Sequence, residues 1–262
     1  MTVPQAGRKA VLVDLTRCIG CRACQVGCKA WNGNDGEKTA ATADFTNPPA
    51  IDANTFTTVR FVEHQAAGGP AWSFVKTQCM HCVDPACVSA CPVAALVKTA
   101  EGAVAYDYGR CMGCRYCMVA CPFGSIGYEW EKVAPRVRKC SFCADRTAEG
   151  RKPACVKTCP TQALTYGDRE ELLAEAERRI ANGKGKYVNH VYGKTEAGGT
   201  SWLYISGVPF ETLGFRTNVP NEPLPALTWA SLSKVPLAAG GLFVGLAAIA
   251  AFRNRGAKEE QK

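Results

Sequence analysis

Apolar residues along the chain fall into short runs cut by turn residues and cysteines, with two longer exceptions. Lys9 to Cys18 (KAVLVDLTRC) and Gly102 to Cys111 (GAVAYDYGRC) each predict a β-branched or aromatic strand that delivers the chain into a cysteine loop. Residues 58–65 (TVRFVEHQ) and 71–78 (AWSFVKTQ) predict the arms of a hairpin around AAGGPA. Ala94-Ala95-Leu96, Gly124-Ser125-Ile126 and Gln162-Ala163-Leu164 each follow a Cys-Pro pair and predict short strand starts. The first longer exception is residues 168–182 (DREELLAEAERRIAN). There Leu172, Leu173, Ala176 and Ile180 recur at helical spacing, Asp168 is placed to cap the start and Gly183 to mark the stop. Residues 184–227 are rich in Gly and Pro and predict a connector that packs across the domain.

The second exception is Val235 to Phe252 (VPLAAGGLFVGLAAIAAF), uncharged between Lys234 and the pair Arg253 and Arg255. At 1.5 Å per residue it reaches roughly 27 Å, close to the hydrocarbon thickness of a bilayer. A soluble helix would rarely be apolar all round, Gly240, Gly241 and Gly245 suit close helix packing in lipid, and Pro236 falls near the first turn. The segment predicts a single-pass C-terminal anchor. RNRGAK beyond it predicts a cytoplasmic C-terminus by the positive-inside rule, which puts the rest on the outer, periplasmic face. The first eighteen residues carry neither a hydrophobic signal run nor a twin-arginine pair, so export would depend on a partner that carries the signal.

Composition changes the picture mainly through cysteine. The chain has 262 residues, a formal net charge of +8 and sixteen cysteines. Its basic residues are scattered (Arg8, Lys29, Arg136, Arg138, Lys139, Arg151, Lys152) without interleaved aromatics, which argues against a nucleic-acid partner. The cysteines divide without remainder into four groups of four: Cys18, Cys21, Cys24, Cys28; Cys79, Cys82, Cys87, Cys91; Cys111, Cys114, Cys117, Cys121; and Cys140, Cys143, Cys155, Cys159. Three groups end in Cys-Pro before a small or apolar run, an internal repeat that should decide the fold.

Soft thiolates select zinc, copper(I) or iron–sulfur clusters. Structural zinc joins two cysteine pairs across a longer gap, and disulfide scaffolds do not repeat this spacing, so both fit less well. The tight C-x2-C-x2-C-x3-C spacing is that of bacterial [4Fe–4S] ferredoxins, whose fourth cysteine ligates the neighbouring cluster. Applied here, that rule predicts cluster 1 on Cys18, Cys21, Cys24 and Cys159, and cluster 2 on Cys140, Cys143, Cys155 and Cys28. It predicts cluster 3 on Cys79, Cys82, Cys87 and Cys121, and cluster 4 on Cys111, Cys114, Cys117 and Cys91. The expected fold is α+β: two bacterial-ferredoxin-like dicluster domains, one nested in the other, plus one C-terminal transmembrane helix. The outer domain takes residues 9–78 and 135–183, with an insertion at 32–78. The inner domain takes 79–134, then come the connector 184–227, the anchor 228–255 and a charged tail 256–262.

Four clusters in series serve to move single electrons over a distance no single cofactor covers. Nothing else reads as catalytic: there is no dinucleotide-type glycine loop, carboxylate pair or nucleophile elbow. His64, His81 and His190 are isolated, His81 inside a cysteine loop. Arg22, Lys29, Arg115 and Lys157 flank the loops as candidate cations that would raise reduction potentials.

CIGCRACQVGCKAWN, CMHCVDPACVSACPVAAL, CMGCRYCMVACPFGSI and KCSFCADRTAEGRKPACVKTCPTQAL resemble the iron–sulfur β subunit of membrane-bound formate dehydrogenase of the N type. That group belongs to the four-cluster subunits of molybdenum and tungsten oxidoreductases. The resemblance covers residues 9 to about 182, and GGTSWLYIS, Trp229 and KVPLAAGGL carry it to about residue 250. Residues 32–60 depart from the family pattern. Cys114 stands where some nitrate and dimethyl-sulfoxide reductase subunits carry Trp, which favours four complete clusters. The resemblance implies electron flow from a molybdenum or tungsten bis-pterin α subunit, through the clusters, to haem b and quinone in a membrane cytochrome b γ subunit. Cluster 1 would face the catalytic subunit and the inner pair the membrane. The α subunit of such complexes carries the twin-arginine signal for both. Competing readings are the equivalent subunit of a membrane-bound hydrogenase, of a polysulfide, nitrite or tetrathionate reductase, or a freestanding membrane-tethered ferredoxin.

Overall fold

β1 (Lys9–Asp14) is buried along nearly its whole length because both of its faces are covered. That explains its unbroken apolar run, where a half-exposed strand would alternate. The computed structural model describes residues 7–40, 42–66 and 68–259; Ala67 of the hairpin turn and the last three residues of the expected charged tail lie outside these. In chain order, β1 is followed by a single 3₁₀ turn (Leu15–Arg17), α1 (Ala23–Asn32), β2 (Thr57–Ala66), β3 (Gly69–Gln78), α2 (Ala86–Ser89), β4 (Leu96–Lys98) and β5 (Val104–Tyr106). Then come α3 (Tyr116–Ala120), β6 (Gly127–Tyr128), β7 (Val137–Arg138), α4 (Ala144–Ala148), α5 (Ala154–Lys157), β8 (Leu164–Asp168), α6 (Arg169–Asn182) and β9 (Trp202–Ile205).

β1 pairs antiparallel with β8 and parallel with β9, in the order β8-β1-β9. One face packs Ala10, Leu12, Leu203 and Ile205 against Leu172, Leu173 and Ala176 of α6. The other packs Val11, Val13, Trp202 and Tyr204 against Phe142, Cys155 and Val156, so the sheet's second face forms a wall of the cysteine region. A separate core gathers Cys87, Leu96, Val104, Cys117, Ile126 and Val137 around the small β4-β5 and β6-β7 ladders. The β2-β3 hairpin forms as expected, with Phe61 opposite Phe74 and its base buried.

Two local expectations change. Asp168 stands at the N-cap of α6 but its side chain makes no capping bond; it lies 3.6 Å from Lys9 Nζ, drawn across the β1-β8 ladder by the cation. The 184–227 segment is more than a connector, since Trp202–Ile205 completes the central sheet.

The described residues up to Leu224 form one compact unit and those from Pro225 a second. The second holds most of α7 (Leu224–Leu232) and all of α8 (Val235–Glu259). Pro236 has no N–H to return to the preceding turn, which accounts for the break at Ser233–Lys234. Leu224–Phe252 is long and apolar enough to cross a membrane, with mean hydropathy 2.1 and no burial. The apolar helical stretch thus begins before residue 228, where the anchor was expected to start.

Candidate functional site

The four cysteine loops share a backbone device. The residue two after the first cysteine of each loop is left-handed: Gly20 (φ 68°), His81 (φ 49°), Gly113 (φ 74°) and Phe142 (φ 60°). A left-handed residue between helical or extended neighbours turns successive N–H groups toward one side, a concavity that suits anionic sulfur. Gly113 N and Phe142 N approach the sulfurs of Cys111 and Cys140 at 3.4 Å. The three Cys-Pro tails repeat the device at Ala94, Gly124 and Gln162, and Ala95 N reaches Cys91 Sγ at 3.2 Å.

Short helices then bring distant cysteines together. α1 lies so close to α5 that a Cβ on Gly27 would meet Thr158 at 2.8 Å, which carries Cys24 and Cys28 alongside Cys155 and Cys159. α2 and α3 pack in the same way and join Cys87 to Cys117 and Cys121. One small cavity is lined by Cys28, Cys140, Cys143 and Cys155, and another by Cys91, Cys111, Cys114 and Cys117. Beyond burial, the thiols of Cys79, Cys121 and Cys87 act on Cys82, and those of Cys159 and Cys21 on Cys18. Each foursome named from the sequence therefore has members from both of its cysteine groups in proximity. The foursomes also adjoin in series, through Cys24 and Cys155, Cys140 and Cys79, then Cys87 and Cys117.

All sixteen cysteines are free of disulfides. Among the described residues no three ligand-type side chains converge as a single metal ion requires. Sulfurs ranged around a cavity suit a polynuclear group instead. Burial pushes the thiols of Cys24, Cys28 and Cys87 up to about 12, and those of Cys117 and Cys143 to about 11, with neighbouring thiols adding to the effect. Such thiols resist ionising alone; a cationic iron core that binds thiolate offsets that penalty and releases their protons.

Of the cations named from the sequence, Arg115 lines the cavity of Cys91, Cys111, Cys114 and Cys117 while staying exposed, and Arg22, Lys29 and Lys157 line neither cysteine cavity. Arg22 stacks over Phe61 at 4.5 Å, Lys29 pairs with Glu37 at 3.0 Å, Arg115 lies over Tyr128 and Trp130 at 5.5 Å, and Lys157 is exposed. The buried cations are others. Lys76, at the end of β3, donates to Thr57 Oγ1 (2.9 Å) and Gln78 Oε1 (2.6 Å) beneath Trp202. Lys139 donates to the Val104 and Cys140 carbonyls. Their one sequence signal is position, a lysine just ahead of a cysteine loop. His64 meets Ser73 and His190 meets Glu196, both outside the cavities. His81 is fully buried, accepts the Val104 N–H on Nδ1 at 2.8 Å and stacks 4.9 Å from Phe142. Burial first, then Lys139 and Lys98, holds its pKa well below the ordinary value.

Residues 70–169 match the 4Fe-4S dicluster domain family. The chain is similar to a protein of Nitratidesulfovibrio vulgaris, 43% identical over 258 residues that cover 96% of this chain and 69% of that protein. It is similar to the nitrate-inducible formate dehydrogenase iron-sulfur subunit of Escherichia coli K12, 41% identical over 199 residues, 75% of this chain and 67% of that subunit. Hydrogenase-2 operon protein HybA of Escherichia coli O157:H7 is 37% identical over 240 residues, 80% of this chain and 73% of that protein.

Proposed function

This chain belongs to the family of formate dehydrogenase iron–sulfur subunits, and on that premise we propose that it is a four-cluster electron relay. It takes electrons from a molybdenum or tungsten bis-pterin subunit that oxidises formate and passes them to a membrane cytochrome b subunit and quinone. Cys18, Cys21, Cys24 and Cys159 hold cluster 1, and Cys140, Cys143, Cys155 and Cys28 hold cluster 2. Cys79, Cys82, Cys87 and Cys121 hold cluster 3, and Cys111, Cys114, Cys117 and Cys91 hold cluster 4. Bound [4Fe–4S] groups supply one-electron carriage at fixed positions. The protein's part is to supply the thiolates, aim backbone N–H groups at sulfur and keep water from the middle of the series.

The distribution of exposure carries this reading. Cys21 of the first foursome and Cys114 of the fourth are exposed, whereas no cysteine of the second or third is. A relay needs access at its two ends and insulation between them. Two dicluster domains, 79–134 nested within 9–78 and 135–183, are supported by the core around Cys87, Leu96, Val104, Cys117 and Ile126, which Val137 of the outer segment closes. The apolar C-terminal stretch anchors the chain, with the cysteine-bearing unit on the outer face and the C-terminus in the cytoplasm. Export then proceeds with the folded catalytic partner.

The HybA relative favours one second reading, in which the donor is a hydrogenase. The complex solubilised anaerobically from native membranes and given formate or hydrogen separately decides between them. Reduced-cluster EPR signals with formate alone support the proposed donor. Reduction by hydrogen alone overturns it in favour of the hydrogenase partner.

A further inference from the structure

Two lysines lie almost out of contact with solvent: Lys76 is 2% exposed and Lys139 4%. Neither forms an ion pair with a carboxylate among the described residues. The partners of Lys76 are a threonine hydroxyl, a glutamine oxygen and the Trp202 ring at 4.2 Å. Those of Lys139 are two backbone carbonyls. Neutral oxygens return only part of the solvation that a buried ammonium loses, so such a cation is normally paired with an anion. Here the anionic chemistry within reach is sulfur. The charge of Lys76 bears on Cys18 and Cys24 of the first foursome and on Cys28 and Cys140 of the second. The charge of Lys139 bears on Cys87 of the third. Among the described residues the fourth foursome has no equally buried lysine; the cations beside it are Arg115, exposed at the cavity wall, and the half-buried Arg136 near Cys111, whose charges water screens.

We propose that Lys76 and Lys139 are fixed counter-charges for the thiolate-bound clusters, positioning residues that raise the reduction potentials of the first three relative to the fourth. This rests on the four-cluster reading above. A cluster held by four thiolates is anionic, and its reduction adds one more negative charge. A cation in a low-dielectric surround therefore favours the reduced form over the oxidised one. A merely structural lysine would hold Thr57 and Gln78 in place without moving a potential.

The test is a potentiometric titration, monitored by EPR, of the purified complex and its variants, with iron and sulfide measured on each preparation. Lys76→Met should lower the potential of cluster 1 or 2 by at least the equivalent of a tenfold change in the reduction equilibrium, about 59 mV for one electron. Lys139→Met should do the same to cluster 3. Lys76→Arg, which keeps the charge, should restore the potential, and the surface variant Lys194→Met should move none. Full iron with unshifted potentials in both methionine variants overturns the inference. Should Lys76→Met lose iron, Lys76→Gln and Lys76→Arg are compared. Retention in Arg alone supports a need for charge; loss in Arg as well shows that side-chain fit is what matters and overturns it. A wild-type iron and sulfide count below four clusters would be the failure of the four-cluster reading, visible before any variant is made.

Discussion

Gly113→Ala tests whether the left-handed turn of a cysteine loop is what holds its site. Gly113 sits at φ +74°, and a Cβ there would stand 2.5 Å from the Pro135 carbonyl oxygen and 3.4 Å from the Tyr128 hydroxyl. The left-handed backbone alone costs an alanine about 1–2 kcal/mol. Pro135 leads into β7, so relief requires backbone rather than a rotating side chain to move, and overpacking of that kind adds about 1–3 kcal/mol. The sum, about 2–5 kcal/mol, corresponds to roughly 30-fold to several-thousand-fold in the opening equilibrium at about 1.4 kcal/mol per tenfold. Gly150 supplies the internal control: its φ is +73° and a Cβ would meet nothing within 4 Å. Gly150→Ala should therefore show only the backbone cost, roughly 5- to 30-fold. The assay is the rate at which a chelator bleaches the visible absorbance of the purified complex, with retained iron measured alongside. Gly113→Ala should bleach its fourth cluster well ahead of Gly150→Ala. Equal rates in the two variants, or wild-type retention in Gly113→Ala, would refute the reasoning.

Three further outcomes are expected. Cys28→Ser and Cys143→Ser should alter the same EPR signal, since both line one cavity with Cys140 and Cys155; loss of two different signals would contradict the crossed pairing. Glu129 accepts from Tyr108 Oη (3.0 Å), Lys132 Nζ (2.7 Å) and Arg136 N (3.3 Å). Burial works to raise its pKa, but these donors outweigh it and the carboxyl lies below its ordinary 4.5. Its contribution is thus complete above about pH 4.5 and lost as pH falls through the lower folded value. The gap in bleaching rate between wild type and Glu129→Gln should hold above that pH and close below it; a gap that widens on acidification contradicts the assignment. Removal of residues 225–262 should release the chain, expressed without its catalytic and cytochrome b partners, from carbonate-washed membranes, whereas retention on the membrane under those conditions would locate the anchor elsewhere.

The 4Fe-4S character of the cysteine spacing, β1, the β2-β3 hairpin and α6 were legible because each rests on spacing or periodicity that local chemistry imposes. β9 was not: Trp202–Ile205 is a four-residue apolar run inside a Gly- and Pro-rich segment, and only its pairing with β1 makes it a strand. The left-handed turns were half legible. Gly20 and Gly113 announce such a turn and histidine is among the non-glycine residues that enter it most often, but the bulky Phe142 avoids positive φ, and there the loop overrides the preference. Burial of charge is set by tertiary packing, so Lys76 and Lys139 were passed over for Arg22 and Arg115, which sit within the motifs but turn out to stack on aromatic rings. Asp168 shows the same limit, since a nearby Lys9 outcompetes the helix end for its carboxylate.

The most direct measurement is the mass of this subunit by nondenaturing mass spectrometry, after its release in the gas phase from the anaerobically purified complex. A four-cluster relay requires an excess over the bare chain equal to four Fe4S4 groups, less the protons that sixteen ligating thiols give up. An excess of two or fewer clusters, or one that fits zinc, would contradict it.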